Sequence, residues 1–152
     1  PSERIRIGFV KTFARKYAPE IFVEAAAIVA REIDNIEFCM AGRGPLLNDM
    51  RCLAKKESLE KIIKFPGFVP HEDVADFMRS LDILVNCSRY ESESFGVVIC
   101  EASASGLPVI VTDVGGVRET ILHGETGFLV PRENAESLAE KMICLSRNME
   151  MR

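Results

Sequence analysis

The chain has 152 residues, 28% charged and 47% hydrophobic, a composition that suits one globular domain with a real core. A net charge of −4, with no Lys/Arg stripe dominating either half, argues against non-specific nucleic-acid binding. The five cysteines are an odd count without C-x-x-C or Cys/His spacing, which disfavours a metal site or a disulfide framework. They read as small core residues in a reducing cytosol.

The longest apolar run, around Ile21 to Ala30, is broken by Glu24 and is too short to cross a bilayer. No signal or transit peptide stands out. The chain opens without Met on Pro1-Ser2-Glu3-Arg4 and stops at Arg152 in a helical pattern, so a piece of a longer, cytoplasmic protein is expected.

In chain order, Ile5 to Val10 reads as a strand and Glu20 to Ile33 as an amphipathic helix. Ile36 to Ala41 is a second strand. The turn Gly42-Arg43-Gly44-Pro45 follows, with Pro45 suited to the first turn of a helix that runs roughly to Ser58. Ile62 to Phe65 is a third strand, ending at Pro66-Gly67, and a helix is expected from near His71 to near Ser80. Asp82 to Cys87 is a fourth strand, and a short helix follows Gly96. Leu107 to Thr112 is a fifth strand and Gly115 to Leu122 a helix. Gly127 to Val130 makes a sixth strand and Ala135 to Ser146 a last helix. Continuous apolar strands alternating with helices imply a mainly parallel sheet covered on both faces. The predicted fold is a Rossmann-like three-layer α/β/α sandwich of about six strands.

In such sheets ligands bind outside the carboxyl ends of the strands. The loops leaving those ends are Lys11 to Lys16, Gly42 to Gly44, Pro66 to Phe68, Ser88 to Ser94 and Asp113 to Gly116. They carry most of the glycines and the cations Lys11, Arg15, Lys16, Arg43 and Arg89. Glycines permit close backbone approach, and helix N-termini offer free amides to phosphate. A phosphate-bearing ligand fits this rim better than a neutral one.

Two glutamates bracket the stretch from Glu93 to Glu101. Glu101 stands in VVICEASASG, a helix apolar or small on nearly every side, and all-round apolar helices are buried. A buried carboxylate needs a partner. Eight helical residues span about 12 Å, whereas glycosidase carboxylates sit about 5 to 9.5 Å apart, which disfavours a hydrolase. Two readings stand at this point. Either Glu101 pairs with a buried Arg or Lys while Glu93 is solvated, or the two carboxylates grip the hydroxyls of a nucleotide sugar at both ends.

The E-x7-E pattern continues as EASASGLPVIVTDVGGVRETILHGETGFLVP. With Ala41-Gly42-Arg43-Gly44-Pro45-Leu46 and Phe65-Pro66-Gly67-Phe68-Val69-Pro70, it closely resembles the donor-binding half of retaining glycosyltransferases of family 4 (group 1). Those enzymes have the two-domain GT-B fold, and the likeness covers nearly the whole chain. The resemblance implies that residues 1–152 form the C-terminal, nucleotide-sugar binding domain of such an enzyme, inactive alone because the N-terminal acceptor domain is absent. Glu101 would accept from the ribose hydroxyls and Glu93 from the donor sugar. Ser94, Phe95, Gly96 and Val97 would wrap the diphosphate and sugar with amides. Gly67, Phe68 and Val69 would line the base, and Lys16 would neutralise the leaving diphosphate. Phe9 stands where the family commonly has arginine, leaving Lys11 as the candidate second cation. The catalytic pair would be Glu93 and Lys16.

The resemblance further implies a UDP-, GDP- or ADP-linked sugar donor without an obligatory metal. The acceptor would be a glycan or lipid-linked molecule, with the inner membrane face as a peripheral site through the absent half. Two alternatives keep the ligand: a non-catalytic sugar-nucleotide binding or regulatory module, and a GT-B-like sugar-nucleotide epimerase. A dinucleotide-dependent oxidoreductase is a third, but GFVKTFAR lacks G-x-G-x-x-G after the first strand. Glu119 is expected to tether its own loop, Asp113 to shape its loop, His71 to cap a helix or lie on the surface, and His123 to sit in a turn.

Overall fold

A computed structural model of the chain describes residues 4–89, 101, 102, 104–113 and 127–148. The described strands are β1 (Ile5–Val10), β2 (Ile36–Ala41), β3 (Ile63–Gly67), β4 (Ile83–Asn86), β5 (Val109–Thr112) and β6 (Gly127–Val130). The described helices are α1 (Pro19–Glu32), α2 (Leu47–Lys56), α3 (Val74–Arg79) and α4 (Ala135–Arg147), with 3-10 turns at Arg15–Tyr17 and His71–Asp73.

The strands form one sheet in the order β3-β2-β1-β4-β5-β6, and all five pairings are parallel. This is the doubly wound order, whose direction reverses between β1 and β4; ligands bind at that switch point. The expected Rossmann-like fold is therefore present. The helix expected over Gly115 to Leu122 lies outside the described residues.

Apolar side chains occur on both faces of each central strand because both faces are covered. On one face Ile7, Phe9, Phe38 and Met40 join Phe22 and other residues of α1 and α4 in the larger core cluster, and α1 packs along α4. Phe22 meets Phe38 edge-on at 5.9 Å, a preferred aromatic geometry. On the other face Cys39, Met78, Leu84, Val109 and Val111 form a smaller cluster with Ala102.

Several boundaries differ from the sequence reading for local reasons. The third strand runs on past Phe65 through Pro66 and ends at Gly67. Proline is tolerated there because β3 is an edge strand, and the β2–β3 register shifts between Cys39 and Ala41 to pass it. Pro45 does not enter α2; it stands in a turn, and α2 begins at Leu47. That helix stops at Lys56, because Ser58 takes a positive φ of 61° that helix cannot continue through. The single helix expected from His71 is a 3-10 turn leading into α3. Of the cysteines, Cys39 and Cys87 are buried as expected, but Cys52 and Cys144 are exposed, because each falls on the outward side of its helix. Cys100 lies outside the described residues.

Candidate functional site

Where the strands end, backbone hydrogen bonds draw their loops together. The Lys11 amide donates to the Ala41 carbonyl (3.2 Å), the Phe13 amide to Arg43 (3.0 Å), and the Gly42 amide to Gly67 (2.8 Å). The loops after β1, β2 and β3 thus share one rim. Gly42 makes this possible: its φ is +138°, and a Cβ there would run into the Lys11 carbonyl.

Across the switch point, the Arg89 amide donates to the Lys16 carbonyl at 2.8 Å. The Thr112 hydroxyl donates to the Ser88 carbonyl at 2.5 Å, and the Asp113 amide to the Val130 carbonyl at 2.9 Å. The described parts of all five predicted loops therefore lie on the carboxyl rim.

The rim encloses an open cleft of about 480 Å³. One wall is Val10, Lys11, Thr12 and Tyr17 from the β1 end; the β2 end gives Ala41, Gly42 and Arg43. Phe68, Val69, His71 and Val74 come from the segment after β3, and Glu101 from a helical turn before β5. Lys11, Val69 and Glu101, named from the sequence, are brought together here. Gly67 stands behind, held by Gly42. Lys16 is exposed beside the cleft. Glu93, Ser94, Phe95, Gly96 and Val97 lie outside the described residues, as do Glu119 and His123.

This geometry bears on three residues singled out in the sequence. Glu101 is half-buried in a cleft wall rather than sealed in the interior. Among the described residues its carboxylate meets no Arg or Lys, so the buried ion pair is not seen. Phe9 is fully buried, 5.8 Å from Phe13 and 5.7 Å from Phe22 between ring centroids. Its side chain points into the core because Ile7 and Phe9 share the face covered by α1, so position 9 offers nothing to the cleft. His71 is on the surface as expected, but it opens a 3-10 turn and lines the cleft rather than capping a helix.

The electrostatics are arranged in patches. The Lys11 and Lys16 ammonium nitrogens lie 4.6 and 5.1 Å from the centre of the Tyr17 ring, within cation–π range. Arg43 sits over the Phe68 ring at 4.4 Å. Phe68 is 56% exposed, the one large apolar side chain so displayed among the described residues. An exposed aromatic ring in a cleft suits a flat, polarisable ligand. Glu101 supplies an acceptor on another wall. Among the described residues there is no group of three or more His, Cys, Asp or Glu side chains placed to hold a metal ion.

Sequence reasoning gave Arg89 only as a rim cation and overlooked Asn86. Arg89 is in fact consumed by the protein: it donates to the Glu20 carboxylate, to Glu133 at 3.1 Å and to the Arg15 carbonyl at 2.7 Å. Burial works against its charge, but the Glu20 and Glu133 carboxylates outweigh that and hold its pKa above the ordinary arginine value. Asn86, buried at the end of β4, accepts from the amide and the hydroxyl of Ser88 at 2.9 and 2.7 Å. The signal for it was a lone amide side chain closing the apolar run DILVN.

Fold and cleft together define an α/β domain of the doubly wound type, with an open cleft at the carboxyl ends of its strands. The family described as glycosyl transferases group 1 matches residues 1–152, and the chain belongs to that family. It is similar to N-acetyl-alpha-D-glucosaminyl L-malate synthase of Bacillus anthracis, 33% identical over 99% of this chain and 38% of that protein. Phosphatidyl-myo-inositol mannosyltransferase of Mycobacterium leprae is 30% identical over 97% of this chain and 40% of that protein. The chain thus spans about two fifths of the length of these relatives. Among solved structures it superimposes on the C-terminal domain of the group 1 glycosyl transferase LpcC from Francisella tularensis. There the TM-score is 0.88, with 26% identity over 98% of this chain and 78% of that one. Its fold also matches Anabaena HepE, crystallised with UDP, at a TM-score of 0.90 and 23% identity over 98% of this chain and 41% of that one.

Proposed function

We propose that the chain is the donor-binding, C-terminal domain of a retaining glycosyltransferase that holds a nucleoside-diphosphate sugar in the rim cleft. The observation that carries this reading is the shared cleft of Lys11 and Glu101, a cation wall and a carboxylate wall with Phe68 between neighbouring strand ends. The strand order alone does not decide it, because dinucleotide-binding domains share that order. The loop after β1 favours it over a dinucleotide site, presenting Lys11 and Lys16 in place of a glycine fingerprint.

In this reading the base lies against Phe68 and Val69, and Glu101 accepts from the ribose hydroxyls. An ionised carboxylate is a pure acceptor and suits a vicinal diol. Lys11 and Lys16 face the diphosphate. As the bond from sugar to diphosphate breaks, negative charge grows on the departing oxygen, and preplaced ammonium groups stabilise it. Glu93 touches the transferred sugar, and Ser94 to Val97 give amides to the phosphates. The acceptor, a glycan or lipid-linked molecule, binds to an N-terminal domain outside this chain. The resemblance supports the retaining stereochemistry and the roles of Glu93 to Val97; the relatives' names support the transferase chemistry.

The test is calorimetric titration of the chain with UDP, GDP, ADP and NAD. Binding of at least one nucleoside diphosphate is expected, with NAD weaker. Binding of NAD alone would sink the proposal in favour of a dinucleotide enzyme.

A further inference from the structure

The turn that carries Lys16 is short. Arg15–Tyr17 is a single 3-10 turn without a side-chain cap, entered from extended backbone at Ala14 and left through Ala18 in the left-handed region at φ 47°. Such short turns are weak by themselves, and an alanine in left-handed backbone is strained. Yet Lys11 and Lys16 both rest against the Tyr17 ring.

Arg89 holds the turn in place. Its backbone amide donates to the Lys16 carbonyl at 2.8 Å and its Nη1 to the Arg15 carbonyl at 2.7 Å. Its Nη2 reaches Glu20 in the first turn of α1, and its Nε reaches Glu133 after β6 at 3.1 Å. The Arg89 carbonyl in turn accepts from Arg132 at 3.4 Å. One residue thus joins the chain after β1, β4 and β6 across the switch point. With its side chain only 10% exposed and all three guanidinium nitrogens engaged, Arg89 is a poor direct ligand for phosphate.

We propose that Arg89 is a positioning residue for diphosphate recognition: its forked hydrogen bonds fix the Arg15–Tyr17 turn so that Lys16, with Lys11, faces the cleft. This rests on the nucleoside-diphosphate reading above. A lysine keeps the charge but not the planar fork that reaches several acceptors at once.

The experiment is calorimetry on the chain with UDP, GDP and ADP, and with UMP, GMP and AMP, for the unaltered protein, Arg89→Lys and Arg89→Met. Both variants are expected to lose about tenfold in affinity for the preferred diphosphate, the size of one charge-assisted contact. Affinity for its monophosphate should stay within about twofold, so the diphosphate-to-monophosphate ratio collapses. Equal losses for both ligands would show a merely structural role and overturn the inference, as would full rescue by Arg89→Lys. If Arg89→Met does not fold, Arg89→Lys alone decides through the same ratio. An unaltered chain that binds a diphosphate, with variants that bind it equally, overturns this inference only. An unaltered chain that binds none of the three overturns the functional reading and this inference with it.

Discussion

The Phe13 amide donates to the Arg43 carbonyl at 3.0 Å, and the Phe13 carbonyl accepts from the Leu46 amide at 2.9 Å. The loops after β1 and β2 are therefore one unit, and the cation wall of the cleft inherits its shape from the turn that starts α2. Gly44 sits between them with φ +153°, and a Cβ there would meet the Phe13 backbone oxygen and nitrogen at 2.6 and 2.8 Å. Gly44→Ala is expected to cost about 1–3 kcal/mol through this backbone strain. For a domain of this size that lowers the melting temperature by roughly 2–4 °C per kcal/mol. Differential scanning calorimetry checks it; an unchanged melting temperature would show that the two loops can separate.

Phe9 belongs to the core, whatever residue relatives carry there. Phe9→Ala should destabilise the chain by about 3–5 kcal/mol, as large-to-small core changes do. A urea titration should show a lower midpoint at unchanged slope. A small stability effect with a large loss of ligand affinity would place the ring in the cleft instead.

The cysteines divide by burial. Iodoacetamide at pH 8, read by mass spectrometry, should modify Cys52 and Cys144 in the folded chain and spare Cys39 and Cys87 until denaturant is added. Burial pushes the Cys87 thiol far up, the Glu20 carboxylate adds to it and Arg89 opposes it. The sign follows from proton linkage. Folded Cys87 keeps its proton while the unfolded thiol ionises near about pH 8.5, so its share of stability is lost as pH rises past that value. Cys87→Ala should flatten the decline. Rapid labelling of native Cys87 would contradict the packing of β4.

Phe68 is the expected base platform. Phe68→Ala should weaken nucleoside mono- and diphosphates alike, by about 1–3 kcal/mol for a lost base–aromatic stack. A loss confined to diphosphates would move the ring to the phosphate end of the site.

The sheet was readable because its strands are short, largely apolar runs set between turns and helical patterns, and β1, β2 and β6 begin and end where their patterns do. The run of β3 through Pro66 was not legible, because proline's acceptability there depends on β3 lying at the sheet edge, a non-local fact. That Lys11, Val69 and Glu101 share one cleft was legible from topology and resemblance. Arg89 was legible as a cation on the rim, but its role was not, since Glu20 and Glu133 reach it from 69 and 44 residues away in the chain. Local pattern carries no trace of such partners.

The central claim is that Glu101 and the lysine wall grip one nucleoside diphosphate. Isothermal titration of Glu101→Gln against the preferred diphosphate tests it most directly. A loss of about tenfold or more is expected, the weight of a hydrogen bond to a charged group, with the melting temperature of the free chain unchanged. Affinity equal to that of the unaltered chain would contradict the account.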